Sequence, residues 1–115
     1  MLLGGKESQV LDPYGATLGA DQGLVDGSHG VVVSGLQCKT VDSYGVALGG
    51  FRSQVESSYG AVLGGNENRV NAQYGTVTGG NQNRASGDYS TVSGGSGRNV
   101  NGIFNWRAGS LFEVD

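Results

Sequence analysis

Apolar, small and polar positions recur along this chain with a period of fifteen residues. An aromatic series runs Tyr14, His29, Tyr44, Tyr59, Tyr74, Tyr89 and Phe104. Five residues after each member stands a small pair: Gly19-Ala20, Ser34-Gly35, Gly49-Gly50, Gly64-Gly65, Gly79-Gly80, Gly94-Gly95 and Gly109-Ser110, with Gly4-Gly5 one period earlier. A third series, Val10, Val25, Thr40, Val55, Val70, Ala85 and Val100, keeps step with both. Self-similarity at a fixed period is the signature of a stacked-repeat architecture, in which one coil is the folding unit.

Within a coil the pattern predicts two short strands and no helix. Tyr59-Gly60-Ala61-Val62-Leu63 reads as strand, and the Gly64-Gly65 pair that follows lets the chain reverse where a Cβ would clash. The polar stretch Asn66-Glu67-Asn68-Arg69 leads to Val70, the centre of a second strand, and Asn71-Ala72-Gln73 returns the chain to the next aromatic. Stacked at about 4.8 Å, such coils form parallel sheets, and seven rises give a rod of about 34 Å. Alternation along the first strand assigns Ala61 and Leu63, with Val70, to the interior, and leaves Tyr59 and Val62 for another apolar surface. Apolar residues on both strand faces imply a second buried face, which symmetric association around the rod axis would supply. Residues 1–103 are therefore read as the repeat array, a partial coil at 1–13 followed by six full coils at 14–103. Residues 104–115 are read as an irregular capping or connecting coil, in which Phe104, Trp106 and Phe112 close the stack. Met1-Leu2-Leu3 provides no cap and is expected to abut a neighbouring module.

Composition sharpens this picture. Twenty-three glycines in 115 residues leave too few bulky side chains for a conventional core. A disordered Gly-rich linker would not hold aromatics in register, and collagen is excluded by Val31-Val32-Val33. The net charge of −3, with charges scattered singly, supplies no phosphate-neutralising patch, so nucleic acid is not an expected partner. Cys38 is the only cysteine and cannot form an internal disulfide. No stretch approaches the roughly twenty apolar residues of a membrane span.

Asp88-Tyr89-Ser90-Thr91-Val92-Ser93-Gly94-Gly95, preceded by Asn83-Arg84-Ala85-Ser86-Gly87, resembles the YadA-like head repeat of trimeric autotransporter adhesins, a repeat also spread through bacteriophage tail and virion fibres. The resemblance covers nearly the whole chain. It is strongest from Tyr44 to Asn101 and weaker from Tyr14 to Ser43, where His29 replaces the aromatic and Ser34 the first glycine. It implies an all-β fold, a left-handed parallel β-roll solenoid of 15-residue coils assembled as a homotrimer. It implies function only as an exposed scaffold, stalk or adhesive surface. Gly102-Ile103-Phe104-Asn105-Trp106 is similar to the aromatic segment that ends such arrays in phage fibres. With the Tyr-Ser-Thr-Val-Ser-Gly-Gly form of the repeat, it points to a virion fibre segment. The head of a bacterial cell-surface adhesin is the alternative.

Candidate chemistry is sparse. Asn66, Asn68 and Arg69 recur one coil later as Asn81, Asn83 and Arg84. Stacked amides can form a hydrogen-bonded ladder. The same residues read as a surface site would offer forked guanidinium donors to an acidic glycan. His29 takes its place in the aromatic series as a structural substitution, with no Ser/His/Asp or paired-carboxylate constellation around it, so no catalysis is expected. The period is wrong for nine-residue calcium rolls and the aspartates do not recur, so no metal or other cofactor is expected. Hexapeptide acyltransferase solenoids do not fit a fifteen-residue coil, and the Thr-x-Thr array of an ice-binding solenoid is met only at Thr76-Val77-Thr78.

Overall fold

The computed structural model describes residues 1–109 and the backbone of 111–113. It is an all-β parallel solenoid of 15-residue coils, with no helix among the described residues and principal extents of 39 × 22 × 12 Å. One strand series comprises Leu2–Leu3 (β1), Ala16–Leu18 (β3), Val31–Val33 (β5), Val46–Leu48 (β7), Ala61–Val62 (β9), Thr76–Val77 (β11), Thr91–Gly94 (β13) and Trp106–Ala108 (β15). The other comprises Gln9–Val10 (β2), Leu24–Val25 (β4), Lys39–Thr40 (β6), Gln54–Val55 (β8), Arg69–Val70 (β10), Arg84–Ala85 (β12) and Asn99–Val100 (β14). Each series forms its own parallel sheet, ordered as in the chain. A final strand, Leu111–Glu113 (β16), turns back antiparallel onto β15 at the edge of the first sheet.

Each residue opposes the one fifteen positions on, as in Thr76↔Thr91 and Arg69↔Arg84, until a shift between Val92 and Gly94 sets Gly94 opposite Ala108. A third row joins the coils by isolated parallel bridges through Lys6, Asp21, Leu36, Phe51, Asn66, Asn81 and Ser96. Backbone hydrogen bonds therefore run along the rod, as in Leu63 N–H to the Val77 carbonyl and Arg69 N–H to the Asn83 carbonyl, both 2.9 Å. Backbone groups find partners in neighbouring coils, so a thin interior suffices.

That interior is two facing columns. Val32, Ala47, Val62, Val77 and Val92 from the first sheet meet Val25, Val55, Val70, Ala85 and Val100 from the second, all without solvent exposure. The expected pleat is thereby reversed: Val62 is buried, whereas Ala61 lies partly exposed and Leu63 is 42% exposed on the outer face. The cause lies at the aromatic position. Tyr59 is not the first residue of a strand but the end of a turn, with φ +62° and its ring half in solvent. Inward alternation starts from Gly60, which is buried, and so selects Val62.

Gly60 is inside because nothing larger fits. A Cβ there would sit 2.8 Å from Val55 Cγ1 and 2.9 Å from Val70 Cγ1. Where the column narrows to Ala85, the same row holds Ser90 instead of glycine. Phe104 continues the aromatic series and β15 pairs in parallel with β13, so coil geometry extends through Ala108. The side chain of Phe112, expected in the cap, lies outside the described residues.

Candidate functional site

The corner after each Gly pair sorts the paired asparagines by depth. Asn68 and Asn83 are fully buried and cannot reach a surface ligand, contrary to their assignment to a surface site. The Asn68 amide donates to the Gly64 carbonyl at 2.8 Å and the Gly80 carbonyl at 3.1 Å, and its oxygen accepts from the Asn83 N–H at 2.9 Å. Asn83 repeats the arrangement with Gly79, Gly95 and the Arg98 N–H. Two outgoing bonds and one incoming bond satisfy each buried amide and lock the tight corner. Asn66 and Asn81 point outward and form a one-step ladder, Asn66 Nδ2 donating to Asn81 Oδ1 at 3.0 Å.

Arg69 and Arg84 are register partners on the outer face of the second sheet. Arg69 pairs with Glu56, and Arg84 Nε donates to Asn71 Oδ1 at 3.0 Å. The structure thus keeps Asn66, Arg69, Asn81 and Arg84 outside and withdraws Asn68 and Asn83 from contact.

Three residues that the sequence reading did not single out, Arg52, Gln54 and Glu67, join Arg69 around an open groove of about 190 Å³ floored by Asn68. Arg52 and Glu67 stand on a corner row whose side chains link along the rod: Gln22 to Glu7, Gln37 to Gln22, and Arg52 to Gln37 at 3.0, 2.8 and 3.0 Å. This row was legible as a fifteen-residue series at Glu7, Gln22, Gln37, Arg52, Glu67 and Gln82, uniformly polar and long. Compared with protein-family models, curated proteins and solved structures, the chain matches none. Its surface chemistry must therefore be read from its own geometry.

The aromatic series forms a continuous column. Successive ring centroids lie 4.7 to 5.1 Å apart, and all pairs except Tyr89–Phe104 are within 8° of parallel. His29 sits between Tyr14 and Tyr44 at 4.8 Å from each, as one more planar ring. Within the column each ring face is covered by its neighbours, so only edges meet solvent. Stacking a sugar on an aromatic face is thereby excluded along its middle. Among the described residues no group of three or more His, Cys, Asp or Glu side chains converges. Cys38 is buried with its thiol 3.3 Å from the Gly49 carbonyl, where it fills the corner that Asn68 occupies two coils later.

Proposed function

We propose that this chain is a non-enzymatic fibre segment that works as a homotrimer, displayed on a bacteriophage virion as part of a tail fibre or other exposed fibre. The observation that carries the reading is the outer face of the first sheet. Ala16, Val31, Val46 and Ala61 form one outward row there, and Leu3, Leu18, Val33, Leu48 and Leu63 the next, with Leu3, Leu48 and Leu63 55%, 41% and 42% exposed. A flat aliphatic strip along several coils favours association, because each buried methylene contributes about 0.8 kcal/mol. The number three and a left-handed winding rest on the resemblance to the YadA-like head repeat. The virion setting rests on the form of the repeat and the aromatic ending at Phe104 and Trp106.

Two measurements test this reading. Light scattering should give three times the chain mass, and Leu63→Asp should yield a folded monomer with unchanged far-ultraviolet circular dichroism, since Leu63 supports the assembly and not the coil interior. A stable wild-type monomer, or a Leu63→Asp chain that remains trimeric, would sink the interface. Immunogold labelling should decorate virion appendages. Label on intact bacterial cell surfaces would instead favour the head of a trimeric autotransporter adhesin.

A further inference from the structure

Four of the seven Lys and Arg residues lie along one side of the rod, although the net charge of the chain is −3. Lys39, Gln54, Arg69 and Arg84 occupy the same outward register position on β6, β8, β10 and β12, and Arg52 joins them across the groove it shares with Arg69. Cations at adjacent rungs, about 4.8 Å apart, repel one another and are destabilising in a sheet. Glu56 compensates Arg69, but Lys39 and Arg84 form no ion pair among the described residues. Arg84 is exposed and is held by Asn71 through Nε, its terminal N–H groups making no hydrogen bond among the described residues. Stacking Arg on Arg does nothing for the coil that glutamine would not do better.

We propose that this strip binds a linear, carboxylate-bearing glycan lying parallel to the rod axis, with Arg84, Arg69, Arg52 and Lys39 as its carboxylate contacts. Forked guanidinium donors match carboxylate geometry. The groove also carries Gln54 and the Glu67 carboxylate, with Asn71 and Glu56 on the other flank. Amides and carboxylates accept hydroxyl protons from sugars, which offsets the repulsion between the two glutamates and the glycan's own carboxylates; a DNA strand, whose backbone hydroxyls are esterified, meets the same glutamates without that compensation. A polymer along the axis meets a new contact at every coil, so weak single contacts add through effective concentration. The strip lies on the second sheet, away from the aliphatic face assigned to association, so both can be occupied together.

The test uses fluorescence anisotropy on the whole chain with a labelled oligogalacturonate, its methyl ester and a single-stranded oligonucleotide of equal length. The acid form should bind and should weaken as salt rises, while the ester and the oligonucleotide should bind at least about tenfold more weakly. Lys39→Gln combined with Arg84→Gln should lower affinity about tenfold or more with mass and circular dichroism unchanged, and Lys6→Gln, on another row, should not. If the double variant does not fold, Arg84→Gln alone serves. The proposal is overturned by absent binding, by equal binding of the ester or the oligonucleotide, or by a folded variant that binds like the parent. Chain mass is read separately, so a monomer that binds discards the trimer alone, and a trimer that does not bind discards the strip alone.

Discussion

At the residue scale, the narrow interior makes single atoms count. Thr40 stands in the column of Val25, Val55 and Val70, fully buried, and its hydroxyl has no hydrogen-bond partner among the described residues. A buried, unpartnered hydroxyl costs about 1–3 kcal/mol, and valine has nearly the same shape. Thr40→Val should therefore raise stability by about 1 kcal/mol, read as a higher midpoint in urea with unchanged slope. A lower midpoint would show that the hydroxyl is satisfied or that the column tolerates no repacking. The column itself was legible as a fifteen-residue series of Val, Thr and Ala. The facing column was not, because Val62 and Leu63 are both apolar and periodicity alone does not say which looks inward. The clue was the drift of the Leu63 row to Thr78 and Ser93, while the Val62 row stays apolar as Val77 and Val92. A position that turns polar in successive coils is an outside position.

At the element scale, corners define the coil more than strands do, since most strands are two or three residues long. Two non-glycine rows hold left-handed backbone. His29, Tyr44, Tyr59, Tyr74, Tyr89 and Phe104 have φ of 58° to 62°, and Glu7, Gln22, Gln37, Arg52, Glu67 and Gln82 have φ of 53° to 57°. Such conformations cost non-glycine residues about 1 kcal/mol or more each. The aromatic row offsets the strain by stacking. The second row offsets it only with exposed side-chain links, and its last member is Gly97 at φ +63°. Gln82 makes a long 3.4 Å contact with Glu67, so Gln82→Gly should stabilise the rod slightly, by about 0.5 kcal/mol in thermal or urea unfolding. A clear loss of stability would mean that the side-chain row matters more than backbone strain. The candidate site divides along the same line. Asn68 and Asn83 looked like surface residues because sequence spacing carries no depth, and only the corner's inward turn separates them from Asn66 and Asn81. Arg69 and Arg84 were legible as a repeated pair. Arg52 was legible only as a member of the polar corner row, and its meeting with Gln54 and Arg69 was not, because the groove joins two rows across neighbouring coils.

At the scale of the whole molecule, the direction of the backbone hydrogen bonds decides how the rod bears load. Bonds between coils point along its length, so tension applied through the two ends pulls them open head-on. They are then loaded as links in series, not sheared together. Each coil touches only its neighbours, so a terminal coil can detach without disturbing the middle. Fifteen residues released to full extension add about 45 Å after subtracting the rise they occupied. A single chain stretched in an optical trap should therefore lengthen in repeated steps of about 45 Å at similar forces. One jump to full contour length would show that the coils fail as a single cooperative unit. A fibre built this way yields gradually under axial pull, coil by coil from an end, and acts as a shock absorber where a sheared sheet would snap.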